Sequence, residues 1–168
     1  MHLALSESSM MDEYLYESLL PGNDSQSMIR LIELLPGTGS EDIHCSMKAY
    51  PLSDCPDFEA LSYCWGDAAI RTPIICNGRQ LLVTLNLESA LYYLRLHTEP
   101  RTLWVDAICI NQGDTQERNG QVRIMRSIYQ RAERTVIWLG EPTKTSWLAF
   151  ELCPRIVLSV GRKTLRGE

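Results

Sequence analysis

Between Leu103 and Gln112 the chain reads Leu-Trp-Val-Asp-Ala-Ile-Cys-Ile-Asn-Gln, an almost unbroken apolar run that carries one acid, Asp106, and stops in polar residues. A strand covered on both faces has this character, because helices above and below a parallel sheet leave no solvent side onto which polar residues can alternate. Ligands of open α/β sheets gather outside the carboxyl ends of the strands. The polar stop at Asn111, Gln112, Gly113 and Asp114 therefore marks a candidate site edge.

Downstream, Val122, Met125, Ile128, Tyr129 and Ala132 recur at helical spacing and lead into Thr135-Val-Ile-Trp-Leu-Gly140. Strand, helix and strand with a connection of this length predict a right-handed crossover between parallel strands. Asp114 and Glu117 stand in the D-x-x-E spacing of a helix start, where acids satisfy orphan amides and favour the positive helix end. Glu117 is read in that structural role.

The upstream half reads as β-rich. Ile29 to Leu35 and Ile43 to Tyr50 predict two strands, the second alternating Ile43, Cys45, Met47 and Ala49 against His44, Ser46 and Lys48, which suggests a half-exposed pair with a solvated histidine. Pro36-Gly-Thr-Gly lacks the lysine and third glycine of a phosphate loop and is read as a turn. Phe58 to Trp65 predicts another strand. Asn77-Gly78 between Ile74-Ile-Cys76 and Leu81-Leu-Val83 predicts a tight hairpin, and Leu87, Ala90, Leu91 and Leu94 predict a helix over 86–96. The fold class expected is α/β: a partly parallel sheet flanked by helices, preceded by a β-rich segment with a hairpin at Asn77-Gly78.

A chain of 168 residues buries roughly 70% of its unfolded surface, enough for one core. The expected division is a flexible arm over 1–27, one domain over 28–153, and a helix end or basic tail over 154–168. The net charge of −5 argues against nucleic acid as a partner, and no apolar run has the length of a membrane span. Cys45, Cys64, Cys76 and Cys109 fall in strand-like runs, none of the six cysteines is paired as C-x-x-C and the N-terminus lacks a secretory pattern, so buried free thiols and a cytoplasmic setting are expected. No Cys/His spacing matches a metal site, and no cofactor is expected.

Three blocks together are specific: Phe58-Glu-Ala-Leu-Ser-Tyr-Cys-Trp-Gly66, Leu103 to Gln112, and the series Asp114, Glu117-Arg118, Gln121-Val122, Met125, Ile128-Tyr129, Ala132, Val136, Trp138-Leu-Gly140. From about Ile29 to Gly140 the chain closely resembles the fungal heterokaryon-incompatibility domain. The resemblance implies a role in nonself recognition and programmed cell death, with self-association or other incompatibility proteins as partners. That domain is in turn similar to Toll/interleukin-receptor domains, some of which cleave NAD with a glutamate. Thr145-Ser-Trp147-Leu-Ala-Phe-Glu151 resembles their Ser-x-Trp-Cys-x-x-Glu motif, with Leu148 in place of the cysteine. Two alternatives are thus an NAD-cleaving enzyme and an inactive truncated fragment.

If the strands near Tyr63, Ile110 and Leu139 are parallel neighbours, their ends bring Trp65, Gly66, Asp67, Asn111, Gln112, Gly140 and Glu141 to one edge. Cleavage at a ribose passes through an oxocarbenium-like centre and needs a carboxylate beside an aromatic slot. Glu151 and Asp67 are the catalytic candidates, with Trp65, Gly66, Asn111 and Gln112 as binding residues. Trp65, Trp104 and Trp138 are otherwise read as core aromatics. Asp106, inside an apolar run, needs a partner such as Arg118, Arg123 or a backbone amide.

Overall fold

The computed structural model describes residues 13–19, 27–39 and 41–141. Seven strands form one sheet: β1 Met28–Leu34, β2 His44–Pro51, β3 Glu59–Tyr63, β4 Arg71–Cys76, β5 Arg79–Thr84, β6 Arg101–Trp104 and β7 Arg134–Trp138, in the order β5-β4-β2-β1-β6-β3-β7. The helices are α1 Leu85–Leu94, α2 Asp106–Cys109 and α3 Thr115–Arg131. β3 pairs in parallel with both β6 and β7, so these three strands end at the same side of the sheet. The α/β class and the partly parallel sheet expected from the sequence are both present.

Local chemistry sets the upstream half. Asn77 and Gly78 take φ of 51° and 76°, the left-handed pair a two-residue hairpin needs, and β4 and β5 continue from them in antiparallel register. Asn77 also fastens the hairpin to β2, its Oδ1 accepting the Met47 amide at 2.9 Å and its Nδ2 donating to the Met47 carbonyl at 3.2 Å. Thr84 ends β5 and caps α1, whose Leu87, Ala90, Leu91 and Leu94 are buried at helical spacing. The loop after β1 wraps a guanidinium instead of a phosphate. Arg95, 8% exposed, donates to the carbonyls of Gly39, Glu41 and Asp42, and a Cβ on Gly37 would stand 2.9 Å from its Nη1.

Two expectations are corrected. The pair β1–β2 is half exposed on β2 alone, where Cys45 and Met47 are buried and His44 and Lys48 exposed as expected, whereas β1 lies between β2 and β6 and buries Ile29, Leu31, Ile32 and Leu34. The apolar run from Leu103 is not one strand, since β6 stops at Trp104 and the backbone turns into α2, with the Cys109 amide donating to the Val105 carbonyl at 2.7 Å. A single buried helical turn hides every side chain just as a covered strand does, so the two give the same apolar run.

Helices cover both faces. Trp104 pairs with Ala60 and Trp138 with Tyr63, three positions apart on β3, so the two indoles point to opposite sides. Tyr129 of α3 meets Trp104 edge-on at 5.5 Å between centroids, and Tyr93 of α1 meets Trp138 at 5.2 Å. At the amino ends of the parallel strands Glu59, 6% exposed, accepts from both Arg101 and Arg134. Burial alone would raise its carboxyl, but the two arginines outweigh it and hold the group below the ordinary carboxylate range.

Of the cysteines, Cys45, Cys55, Cys76 and Cys109 are buried free thiols, with Cys45 and Cys76 opposite one another on β2 and β4. Cys64 departs from the expectation: it lies one residue past β3 and is exposed. Cys153 and the helix read around Trp147 lie outside the described residues.

Glu59→Gln should destabilise the fold by about 1–3 kcal/mol at neutral pH, the scale of charge-assisted bonds to a buried group. Because the folded carboxyl titrates low, its contribution is present above the ordinary carboxylate range and is lost as pH falls through the folded value. Urea unfolding of both proteins at neutral pH and at pH near 3 should show the gap closing in acid. Alkylation of the native protein followed by peptide mapping should find Cys64 labelled well before Cys109, whose thiol burial pushes up to about 12.

Candidate functional site

The carboxyl ends of β3, β6 and β7 share one edge, the crevice position of an open α/β sheet, and it is built one side chain at a time. Trp65, two residues beyond β3 and 40% exposed, donates its indole Nε1 to Asp106 Oδ2 at 3.0 Å. Asp106 opens α2, so its other oxygen reaches back to the Ala107 amide at 2.7 Å. The Asp106 carbonyl then accepts Gln112 Nε2 at 3.0 Å, which draws the loop after α2 onto the same edge. Asn111 shapes that loop: its Oδ1 accepts the Gly113 amide at 3.1 Å and its carbonyl the Asp114 amide. The partners of Asp106 are thus an indole and a backbone amide, with no arginine bonded to it among the described residues.

The opposite wall comes from α1, which sequence reasoning left out of the site. Asn86 Oδ1 accepts the Trp138 indole at 3.0 Å and its Nδ2 donates to the Cys64 carbonyl, joining α1 to the ends of β7 and β3. Ser89 donates to Glu141 Oε1 at 2.8 Å. Gly66 has φ of 73° and passes close to α1, where an added Cβ would lie 3.4 Å from Asn86 Cβ. The signal was present. Asn86, Ser89 and Tyr93 recur at i, i+3 and i+7, a second stripe beside the apolar one, and such a stripe faces one neighbour.

Other predicted residues stand elsewhere. Asp67 Oδ1 accepts the Ala69 amide at 2.9 Å in an exposed turn and is not bonded to Trp65 or Asp106. Arg118 is exposed on α3. Glu117 does not close a capping box with Asp114; Asp114 alone caps α3, accepting the amides of Gln116 and Glu117 at 2.9 and 3.0 Å. Glu117 turns inward to Arg30, at 2.6 and 3.0 Å, and to the Asn111 amide at 2.8 Å. Glu151 lies outside the described residues.

Electrostatically the crevice joins a wet aromatic face to a half-buried acid. Burial pushes the Asp106 carboxyl above the ordinary range, against the lowering pull of the Trp65 indole and the Ala107 amide. Burial also raises Tyr63, and the Asp106 charge adds to it; the Tyr63 hydroxyl and the Trp104 Nε1 are both buried without a hydrogen-bond partner. Among the described residues no group of three or more His, Cys, Asp and Glu is placed to hold a metal ion. The arrangement suits a flat or polar group laid on Trp65 and bonded by amides.

The family model described as "Heterokaryon incompatibility protein (HET)" matches residues 58–162, which take in both walls of the crevice. This chain belongs to the heterokaryon incompatibility family. It is 39% identical over 132 residues to "Heterokaryon incompatibility protein 6, OR allele" of Neurospora crassa, a match covering 70% of this chain and 19% of that protein. The chain therefore spans about a fifth of its relative. No solved structure matches it. Among the described residues no helix is long and apolar enough to cross a membrane.

Asp106→Asn should retain the bond from Trp65 while removing a charge that burial disfavours. A carboxyl raised by folding contributes stability that is fully present below its unfolded pKa and is lost as pH rises through the folded value. Relative to the Asn variant, the natural protein should therefore weaken between pH near 4 and neutrality, as read by urea midpoints. A difference independent of pH would leave Asp106 without a raised pKa.

Proposed function

We propose that this chain acts in fungal nonself recognition, promoting programmed cell death after fusion of unlike cells, and that the strand-end crevice is its working surface. The observation that carries this reading is the span of the family match, which begins at residue 58 and contains Trp65, Gly66, Asn86, Asp106, Asn111, Gln112 and Trp138. The name of the Neurospora relative points to the same process.

Within the crevice, binding is favoured over hydrolysis. Each described carboxylate at this edge already holds a neighbour: Asp106 the Trp65 indole and Ala107 amide, Asp67 the Ala69 amide, and Glu141 the Ser89 hydroxyl. A group held in this way serves as part of a wall, and no two of these carboxylates are bonded into one pair facing a shared space. Trp65 offers the flat apolar contact and Gln112 and Asn111 the polar rim, the composition of a recognition surface for a partner protein or a second copy of the domain.

Trp65→Ala removes the exposed ring and Glu99→Ala removes an exposed charge in the loop before β6, at the end of that strand opposite the crevice. In filamentous fungal cells making each variant at equal level, death should be lost with Trp65→Ala and kept with Glu99→Ala, while cellular NAD stays constant before death begins. Killing that persists with Trp65→Ala would remove the crevice from the mechanism. A fall in NAD that precedes death, with nicotinamide released by the purified protein, would replace recognition with hydrolysis.

A further inference from the structure

Ahead of the family match, Glu13–Leu19 lies across the sheet as a short strap. Glu13 bridges to Gln80 on β5 and the Tyr14 amide donates to the Gln80 carbonyl at 2.7 Å. The Tyr14 hydroxyl reaches Met47 Sδ on β2 at 3.5 Å. The strap then passes to α2 and β1, where the Tyr16 hydroxyl donates to the Ile108 carbonyl at 2.8 Å, its ring lies 5.0 Å from the Arg30 guanidinium, and Arg30 donates to the Glu17 carbonyl. Tyr14 and Tyr16 are half-buried, whereas Leu15 between them is 70% exposed. A short segment outside the helices and the seven-stranded sheet belongs to the low-stability end of a fold, the part that opens first.

From the strap an unbroken series of contacts runs to the crevice. Arg30 also donates to the Cys109 carbonyl at 3.1 Å and to both oxygens of Glu117. Glu117 accepts the Asn111 amide, Gln112 donates to the Asp106 carbonyl, and Asp106 holds Trp65. One crevice wall, residues 106–112, is therefore gripped from behind at Ile108, Cys109 and Asn111, and at Ile108 the grip is the strap itself.

We propose that Glu13–Leu19 is a regulatory strap: docked, it holds the 106–112 wall and Trp65 in the arrangement seen here, and its release loosens that wall. The strap acts on the crevice proposed above as the working surface, while its test reads amide exchange alone, so either proposal can fail without the other. Coupling between two sites is reciprocal, and this gives the test two directions.

Hydrogen exchange of the whole chain, followed residue by residue, reads both. Tyr16→Phe keeps the ring over Arg30 and deletes the donor to Ile108. Exchange at the Ala107 and Asn111 amides should rise about fivefold, the population change that loss of one ordinary hydrogen bond gives, with β1 and β2 amides unchanged. Tyr14→Phe loses only the contact to Met47 and should leave the wall at its natural rate. In the reverse direction Trp65→Phe, which frees Asp106, should speed exchange at the Tyr14 amide. The proposal is overturned if Tyr16→Phe leaves Ala107 and Asn111 unchanged or speeds the whole sheet equally, or if Trp65→Phe leaves Tyr14 at its natural rate.

Discussion

The fold converges on one buried ion pair. Arg30 and Glu117 are 3% and 7% exposed, and removing two such charges from water costs several kcal/mol per ion unless every donor and oxygen finds a partner. Here they do so by a forked contact of two parallel bonds, with the remaining capacity taken by the carbonyls of Cys109 and Glu17 and the amide of Asn111. The pair therefore ties β1, near the middle of the sheet, to the first turn of α3, the end of α2, the loop before α3 and the strap. Of these pieces α2 is a single turn, and the loop before α3 and the strap lie outside regular helix and sheet. Their common registration depends on a charge that can be satisfied in only one arrangement.

That registration explains how a site with little intrinsic order is held. Trp65, Gly66 and Gln112 lie outside regular structure, and α2 is a single turn. Asp106 joins them because it is placed to accept from an indole on one side and an amide on the other, while α1 braces the far wall through Asn86 and Ser89. Three tryptophans show how position, not residue type, sets the duty. Trp104 is fully buried against Tyr129, Trp138 is half covered by Tyr93 and bonded to Asn86, and Trp65 keeps its ring toward water. Reading all three as core aromatics held for Trp104 and failed for Trp65, since a tryptophan just past a strand end has no sheet face to lie on.

Some features were legible because their causes are local. The Asn77-Gly78 hairpin follows from two residues that tolerate positive φ, and α1 and α3 from apolar residues at helical spacing behind Thr84 and Asp114 caps. The run from Leu103 misled because one turn of buried helix carries no period long enough to be seen. The place of Glu117 in the first turn of α3 was legible from its spacing, but its partner was not, since the Arg30 guanidinium that takes the carboxylate stands 87 positions away. Arg30 itself was a missed signal, a charge inside Met-Ile-Arg-Leu-Ile-Glu-Leu that a covered strand tolerates only with a partner. Asn86 and Ser89 were not legible as site residues because polar side chains beside the apolar stripe of α1 have the pattern of a solvated helix face.

Sequence alone determined the α/β class, the hairpin, the two long helices with the Asp114 cap, and the blocks by which the chain belongs to its family. Each depends on residues within a turn or two of one another, where backbone dihedrals and nearest hydrogen bonds decide the outcome. Tertiary structure alone decided the strand order β5-β4-β2-β1-β6-β3-β7, the partnering of Arg30 with Glu117, and which polar side chains meet at the strand ends. These contacts join positions tens of residues apart, and burial drives them without specifying direction. Only the simultaneous satisfaction of every buried charge and amide selects one set of partners from the many that the apolar pattern would allow.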